Sequence, residues 1–114
     1  MMRGRADAMP RVYISGPITG VDPTRCREKF AAAEKHIRNL GGVPINPLMV
    51  AQMWPGLGYD DYINIDLALI DICDEIYVLR GFAASQGCGL EMAYAKRQGC
   101  RVRYQVDEER VVEA

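Results

Sequence analysis

Short apolar runs alternate along this chain with segments of helical periodicity, and the order of these segments limits the possible folds. The order β-α-β-α-β-α-β requires parallel strands with helices packed on the sheet. We therefore predict the α/β class, a single flavodoxin- or Rossmann-like three-layer domain with a small, mostly parallel sheet. The predicted strands are Arg11 to Ser15, Val43 to Ile45, Glu75 to Leu79 and Arg101 to Tyr104. The predicted helices are Pro23 to Leu40, Tyr59 to Ile72 and Gly89 to Gln98.

The helix boundaries carry their own signals. Asp22 followed by Pro23 is typical of an N-cap and a first helical turn. Apolar residues at spacings of three and four then predict one buried face. The helix from Tyr59 is apolar on two faces, which indicates deep burial or packing against a partner subunit. Between Asn46 and Gly58 the chain is rich in proline and glycine, and we predict a loop there.

The size of the chain, 114 residues, suits one domain. We expect residues 1–9 to be a disordered lead, 10–106 to form the domain and 107–114 to be a polar tail. The net charge of -1 argues against nucleic acid as a partner, and no apolar run is long enough for a membrane span. The four cysteines show no C-x-x-C pairing, so we expect reduced thiols and a cytoplasmic protein.

The segment after the third predicted strand is the first candidate for a site, because parallel sheets bind ligands beyond the carboxyl ends of their strands. It reads Ser85-Gln86-Gly87-Cys88-Gly89-Leu90-Glu91. We expect Gly87 and Gly89 to lie in a substrate-binding loop, whose free amides precede a helix and suit a phosphate or sugar. Glu91 is then predicted in the first helical turn, where the helix dipole keeps a carboxylate ionised.

Two carboxylates are candidates for a chemical role, and each also has a purely structural interpretation. Glu91 would act as a nucleophile or a base, or it would only stabilise the start of a helix. Asp66 lies between Ile65 and Leu67 in an apolar segment. It either faces a cleft with a raised proton affinity or lies at the surface between two buried stripes.

Smaller signals come from single residues along the predicted rim. The hydroxyl of Tyr13 would bind a carboxylate or belong to the core, and Ser85 would bind an anion or cap a helix. Gly16 would allow close approach of a ligand or form a turn. Cys88 has no neighbouring histidine in sequence, so we do not favour it as a nucleophile. Four other aspartates are interpreted as structural: Asp60, Asp61, Asp71 and Asp74.

Taken in order, the motifs resemble those of the nucleoside 2-deoxyribosyltransferase superfamily. The similar segments are Tyr13-Ile-Ser-Gly-Pro17, Asn46-Pro47, Asp66 with Asp74 eight residues later, and Glu91-Met-Ala-Tyr-Ala95. The resemblance extends from about Val12 to Tyr104, nearly the whole domain. Within the superfamily, the small proteins of the DUF4406 group are the most similar.

The resemblance implies a role for several residues. Glu91 matches the catalytic glutamate that attacks C1′ of a deoxyribose, and Tyr13 matches the tyrosine that orients it. Asp66 matches the aspartate that contacts the base and helps it leave. Gly16 and Gly89 match positions in loops that border the sugar. The chemistry requires no metal and no redox cofactor, and we predict neither.

Ser85 is a departure from the transferases that act on free nucleosides, which usually carry an acidic residue six positions before the glutamate. A serine there resembles the deoxynucleoside 5′-monophosphate N-glycosidases, in which it contacts the phosphate. The charge argument agrees, because an aspartate would repel a phosphate whereas a serine beside free amides would bind it.

The resulting prediction is an enzyme that cleaves or transfers the N-glycosidic bond of a deoxynucleoside or its 5′-monophosphate. Its partner is thus a small nucleoside or nucleotide. Members of the superfamily are oligomers, so a homodimer or higher homo-oligomer is implied. The alternative is a non-catalytic nucleotide-binding sensor on the same fold.

Overall fold

A computed structural model describes residues 9–107 and 111–113 of the chain. Within these residues, five strands form one sheet and four α-helices surround it. The strands are β1 (Arg11–Ser15), β2 (Val43–Ile45), β3 (Glu75–Val78), β4 (Arg101–Gln105) and β5 (Val111–Glu113). The helices are α1 (Pro23–Asn39), α2 (Leu48–Met53), α3 (Tyr59–Asp71) and α4 (Gln86–Arg97), with a 3-10 turn at Phe82–Ala84.

The strand order is β2-β1-β3-β4-β5, so β1 lies between two parallel neighbours. Tyr13 is in register with Ile45 on one side and Ile76 on the other. β4 is parallel to β3, and β5 is antiparallel to β4. This is the mostly parallel α/β sheet that the sequence predicts, and it brings the carboxyl ends of β1, β2 and β3 to one edge.

The two faces of the sheet form separate cores, and β1 contributes to both because its side chains alternate. Val12 and Ile14 pack with Phe30 and Ile37 of α1. Tyr13 lies in the opposite cluster, which contains residues of α3 and α4 such as Ile70 and Ala95. Right-handed crossover connections account for this division of the helices between the faces.

Helix α2 corrects the prediction of an irregular loop between Asn46 and Gly58. The six residues Leu48–Met53 are helical, and Val50 is buried. Asn46 lies just before this helix, and its Oδ1 accepts a hydrogen bond from the Leu48 amide at 3.0 Å. The sequence prediction gave too much weight to the surrounding prolines and glycines, which flank the helix rather than interrupt it.

Helix α4 begins at Gln86, three residues before the predicted start at Gly89. Ser85 is its N-cap, with Oγ accepting a hydrogen bond from the Cys88 amide at 3.2 Å. Gly87 and Gly89 therefore lie within the helix, and the prediction that they form a glycine loop is wrong. Glu91 is the sixth helical residue, so the prediction that it lies in the first turn is also wrong.

At the carboxyl end of the chain, Val111–Glu113 forms an edge strand against β4, where the sequence predicted only a polar tail. Val111 packs against the core on the α1 side of the sheet. The disordered lead proposed for residues 1–9 lies outside the described residues, except for Met9, which is exposed and belongs to no helix or strand.

Candidate active site

A cavity of about 600 Å³ opens beyond the carboxyl ends of the parallel strands. Its walls come from the segment after β1, the start of α2, one side of α3 and the start of α4. Asp66 and Glu91 are the only acidic residues that line it, and no Lys, Arg or His of the described part of the chain does so. The remaining wall includes Gly16, Pro17, Ile18, Leu48, Tyr59, Tyr62, Ile63, Ser85, Gly87 and Cys88.

Glu91 projects from α4 towards β1 and is only 6% exposed. The Tyr13 hydroxyl donates a hydrogen bond to its Oε2 at 2.7 Å. The Ser15 hydroxyl donates to its Oε1, also at 2.7 Å, and both donors are completely buried. Each carboxylate oxygen is thus held by one hydroxyl of the same strand.

Asp66 completes the cluster from α3, and it is buried rather than at the surface. Burial, followed by the charge of Glu91, raises the pKa of Asp66 to about 8. Its hydrogen bond with Glu91 acts in the same direction, because a protonated Asp66 donates to the Glu91 carboxylate. Near neutral pH, Asp66 therefore carries a proton that it can give to a bound molecule.

The pKa of Glu91 is raised by burial, while hydrogen bonds from Ser15, Tyr13 and Asp66 oppose that shift. These donors favour the ionised form of Glu91, so the proton of the pair rests on Asp66. The sequence analysis predicted that the helix dipole keeps Glu91 ionised. Because Glu91 lies in the second turn of α4, the hydroxyls rather than the dipole favour its ionised form. Burial, then the charge of Glu91, raises the pKa of Tyr13 well above 10.0, so Tyr13 remains a donor.

The other predicted site residues are divided between the cavity and the protein surface. Ser85 and Gly87 line the cavity at the start of α4. Gly89 is exposed on α4 and is not part of the cavity wall. Gly16 lines the cavity, and a Cβ there would lie 2.6 Å from Leu79 Cδ1. Gly16 thus permits close packing on the Leu79 side chain as well as access to the cavity.

Cys88 lines the cavity as a buried neutral thiol, because burial raises its pKa. This agrees with the sequence argument against a thiol nucleophile. Three of the aspartates interpreted as structural have matching partners. Asp61 accepts a hydrogen bond from the Gly58 amide, Asp71 from Tyr94 Oη and Asp74 from the Arg11 amide.

The sequence analysis assigned no function to Ser15, although a signal for it was present. Tyr13 and Ser15 are two residues apart on a strand, so their hydroxyls point to the same face. Tyr59 and Tyr62 were also missed as cavity residues. They follow the loop into α3, and only the packing of α3 against α4 brings them to this wall.

The described residues contain no group of three His, Cys, Asp or Glu side chains placed to hold a metal ion. Over the same part of the chain, no helix combines the length and apolar character needed to cross a membrane.

Solved structures with the same architecture define the class of this domain. A 2-deoxyribosyltransferase from Bacillus psychrosaccharolyticus is similar with a TM-score of 0.63 and 17% identity, over 82% of this chain and 70% of the other. The CMP N-glycosidase of Clostridium botulinum is similar with a TM-score of 0.59 and 16% identity, over 82% of this chain and 69% of the other. A 2-deoxyribosyltransferase from Leishmania mexicana is similar with a TM-score of 0.60 and 21% identity, over 83% of this chain and 63% of the other. The chain therefore has the Rossmann-like fold of these proteins.

The family follows from the sequence itself. Residues 10–104 match the family model described as "Domain of unknown function (DUF4406)", and the chain belongs to this family. Among curated proteins, none matches the chain.

Proposed function

We propose that this protein cleaves or transfers the N-glycosidic bond of a deoxynucleoside or a deoxynucleoside 5′-monophosphate, with Glu91 as nucleophile. The observation that carries the proposal is a Glu91 carboxylate, held by two hydroxyls, next to a protonated Asp66 at the wall of a cavity. A nucleophile beside a proton donor is what departure of a base from a sugar requires. The named activities of the similar structures, 2-deoxyribosyltransferase and CMP N-glycosidase, support the same reaction class.

In the first step, a Glu91 oxygen forms a bond to C1′ of the sugar while the bond from C1′ to the base nitrogen breaks. The electron pair of that bond leaves with the base, and Asp66 supplies the proton that neutralises it. The developing positive charge on the sugar is stabilised by the adjacent carboxylate. Tyr13 holds Glu91 in position but does not react, because its phenol stays protonated.

In the second step, water or a second base attacks C1′ and releases Glu91 as a carboxylate. The attacking group loses a proton to the Asp66 carboxylate, which restores the starting state of the pair. Water as acceptor gives hydrolysis, and a base as acceptor gives transfer.

The cavity wall offers complementary surfaces for the two ends of such a substrate. Tyr59, Tyr62 and Ile63 form an apolar and aromatic wall suited to a base. Next to Tyr59 and Ile63, Ser85 and Gly87 bring a hydroxyl and the start of α4 to the cavity, which suits a 5′-phosphate. Deoxyribose as the sugar is carried over from the family resemblance.

We further propose that the protein acts in the cytoplasm as a homo-oligomer. All four cysteines are buried, and the sequence holds no C-x-x-C pair, as expected for a cytoplasmic protein. Ile72, just after α3, is 46% exposed, which supports a partner surface on the second apolar face of that helix.

Base release tests the proposal directly. Wild-type protein is incubated with common deoxynucleosides and their 5′-monophosphates, and free base is followed by chromatography. Glu91→Gln should reduce turnover at least about a thousandfold, as expected when a nucleophile is removed. Glu28→Gln makes the same chemical change on the exposed side of α1, away from the cavity, and should have no effect.

Two results would count against the enzyme. Full turnover by Glu91→Gln would show that Glu91 is not the nucleophile. Tight binding of a nucleotide by the wild type with no release of base would instead support the alternative, a nucleotide-binding sensor.

A further inference from the structure

We infer that Ser15 is a positioning residue for this site, because its hydroxyl holds one Glu91 oxygen while Tyr13 holds the other. The inference deepens the proposed function and rests on it. Ser15 ends β1 and is completely buried, and its Oγ lies 2.7 Å from Glu91 Oε1. With Tyr13 bound to Oε2, any rotation of the carboxylate about its own axis would break two short hydrogen bonds.

The number of donors around Glu91 limits the direction from which it can react. An ionised carboxylate has about four acceptor positions. The Tyr13 and Ser15 hydroxyls occupy two of them, and a protonated Asp66 would occupy a third. Removing the Ser15 hydroxyl would free a second position and allow the carboxylate to turn away from the sugar.

Ser15 also bears on the charge of Glu91, because its hydroxyl is one of the hydrogen-bond donors that face this carboxylate. The facing groups are Tyr13 and Ser15 from β1, Asp66 from α3 and Cys88 from α4 itself. No Lys, Arg or His of the described residues lines the cavity. The hydrogen bond from Ser15 therefore supports an ionised carboxylate that has little contact with water.

The role of the hydroxyl can be separated from the role of the strand. The backbone carbonyl of Ser15 accepts the Leu79 amide at 2.8 Å, and alanine would keep this bond. Ser15→Ala removes the hydroxyl, and Ser15→Cys replaces it with a thiol, a weaker donor of similar size. Both variants thus remove the strong hydrogen-bond donor with little change to the sheet. Ile14→Val is the matched control, because Ile14 is equally buried on β1 but faces α1.

The first measurement needs no turnover. The side-chain carboxyl carbon of Glu91 is titrated by NMR in an Asp66→Asn background, so that Glu91 titrates without its coupled partner. Adding Ser15→Ala or Ser15→Cys should move the midpoint up by roughly 1–2 pH units, the equivalent of losing one hydrogen bond to a charged group. Adding Ile14→Val should leave it in place. An unmoved midpoint with Ser15→Ala would overturn the inference.

The second measurement uses base release by proteins with an intact Asp66. Ser15→Ala should lower kcat roughly 10- to 100-fold with KM nearly unchanged, because the hydroxyl touches Glu91 rather than the substrate. An unchanged kcat in an active enzyme would overturn the positioning role. If wild type releases no base while the NMR midpoint still shifts, the proposed reaction fails, and the control of Glu91 by Ser15 stands.

Discussion

Ile14 and Ser15 are neighbours on β1 and both are completely buried, yet they lie in opposite environments. Ile14 faces α1 in a cluster of buried hydrophobic side chains. Ser15 faces the other way, towards Glu91 and Cys88. Along one strand, equal burial serves two purposes: on the α1 side it stabilises the fold, and on the α3/α4 side it changes the chemistry of carboxyl groups.

The free-energy consequences differ accordingly. Burying apolar side chains against α1 contributes directly to stability. Burying a carboxylate costs free energy unless hydrogen bonds compensate it. The three buried polar or charged residues of the described part are Ser15, Asp66 and Glu91, and all belong to the α3/α4 side. Their grouping shows how two carboxyls are accommodated beside a core: Glu91 accepts hydrogen bonds from Tyr13 and Ser15, and Asp66 is neutralised by its proton.

The largest expected effect is a loss of stability when a side chain on the α1 side of the sheet is removed. Phe30→Ala removes a ring that is 1% exposed on the α1 side, and it should lower the free energy of unfolding by about 3–5 kcal/mol. Leu40→Ala, at 62% exposure, should change it by less than about 0.5 kcal/mol. Urea denaturation measures both. Similar losses in the two variants would contradict the view that the α1 face is the stabilising core.

A smaller effect is expected from Tyr13→Phe, which keeps the ring and removes only the donor to Glu91. Turnover should fall by roughly 10- to 100-fold, the value of one hydrogen bond to a charged group. Stability should change much less than in Phe30→Ala. Steady-state base release, combined with urea denaturation, checks both expectations; a variant that keeps full turnover would show that the phenol does not hold the nucleophile.

The smallest effect concerns pH. The pKa of Asp66 rises from 3.8 to about 8 on folding, so the folded state binds this proton more tightly than the unfolded state. Its contribution is fully present below about pH 4 and is lost as the pH rises towards about 8. The stability advantage of wild type over Asp66→Asn should therefore decline between about pH 5 and pH 8. Denaturation series across this range test the sign, and an advantage that grows with pH would reverse it.

Much of the fold could be predicted because its signals are local. β1 has the predicted bounds, since an apolar run is stopped by Gly16 and Pro17. α1 begins at Pro23 after its Asp22 cap, as expected. α2 and β5 were missed for opposite reasons. The turn-forming residues around α2 concealed a short helix, and β5 depends on pairing with β4, which no local pattern shows.

The site was predicted less completely than the fold. Tyr13, Asp66 and Glu91 were singled out, and the structure brings them together. Ser15 was missed because a serine at the end of a strand has many ordinary uses. Gly89 was expected beside the substrate but lies outside the cavity wall, because α4 starts earlier than its sequence indicates.

The order of apolar and helical segments, read alone, determined a mostly parallel sheet and predicted the edge at which a ligand would bind. It could do so because alternation and spacing are properties of neighbouring residues. Which carboxyl holds the proton was decided by the tertiary structure. Proton affinity depends on burial and on the atoms within hydrogen-bond distance, and here those atoms come from β1, α3 and α4, which meet only when the chain has folded.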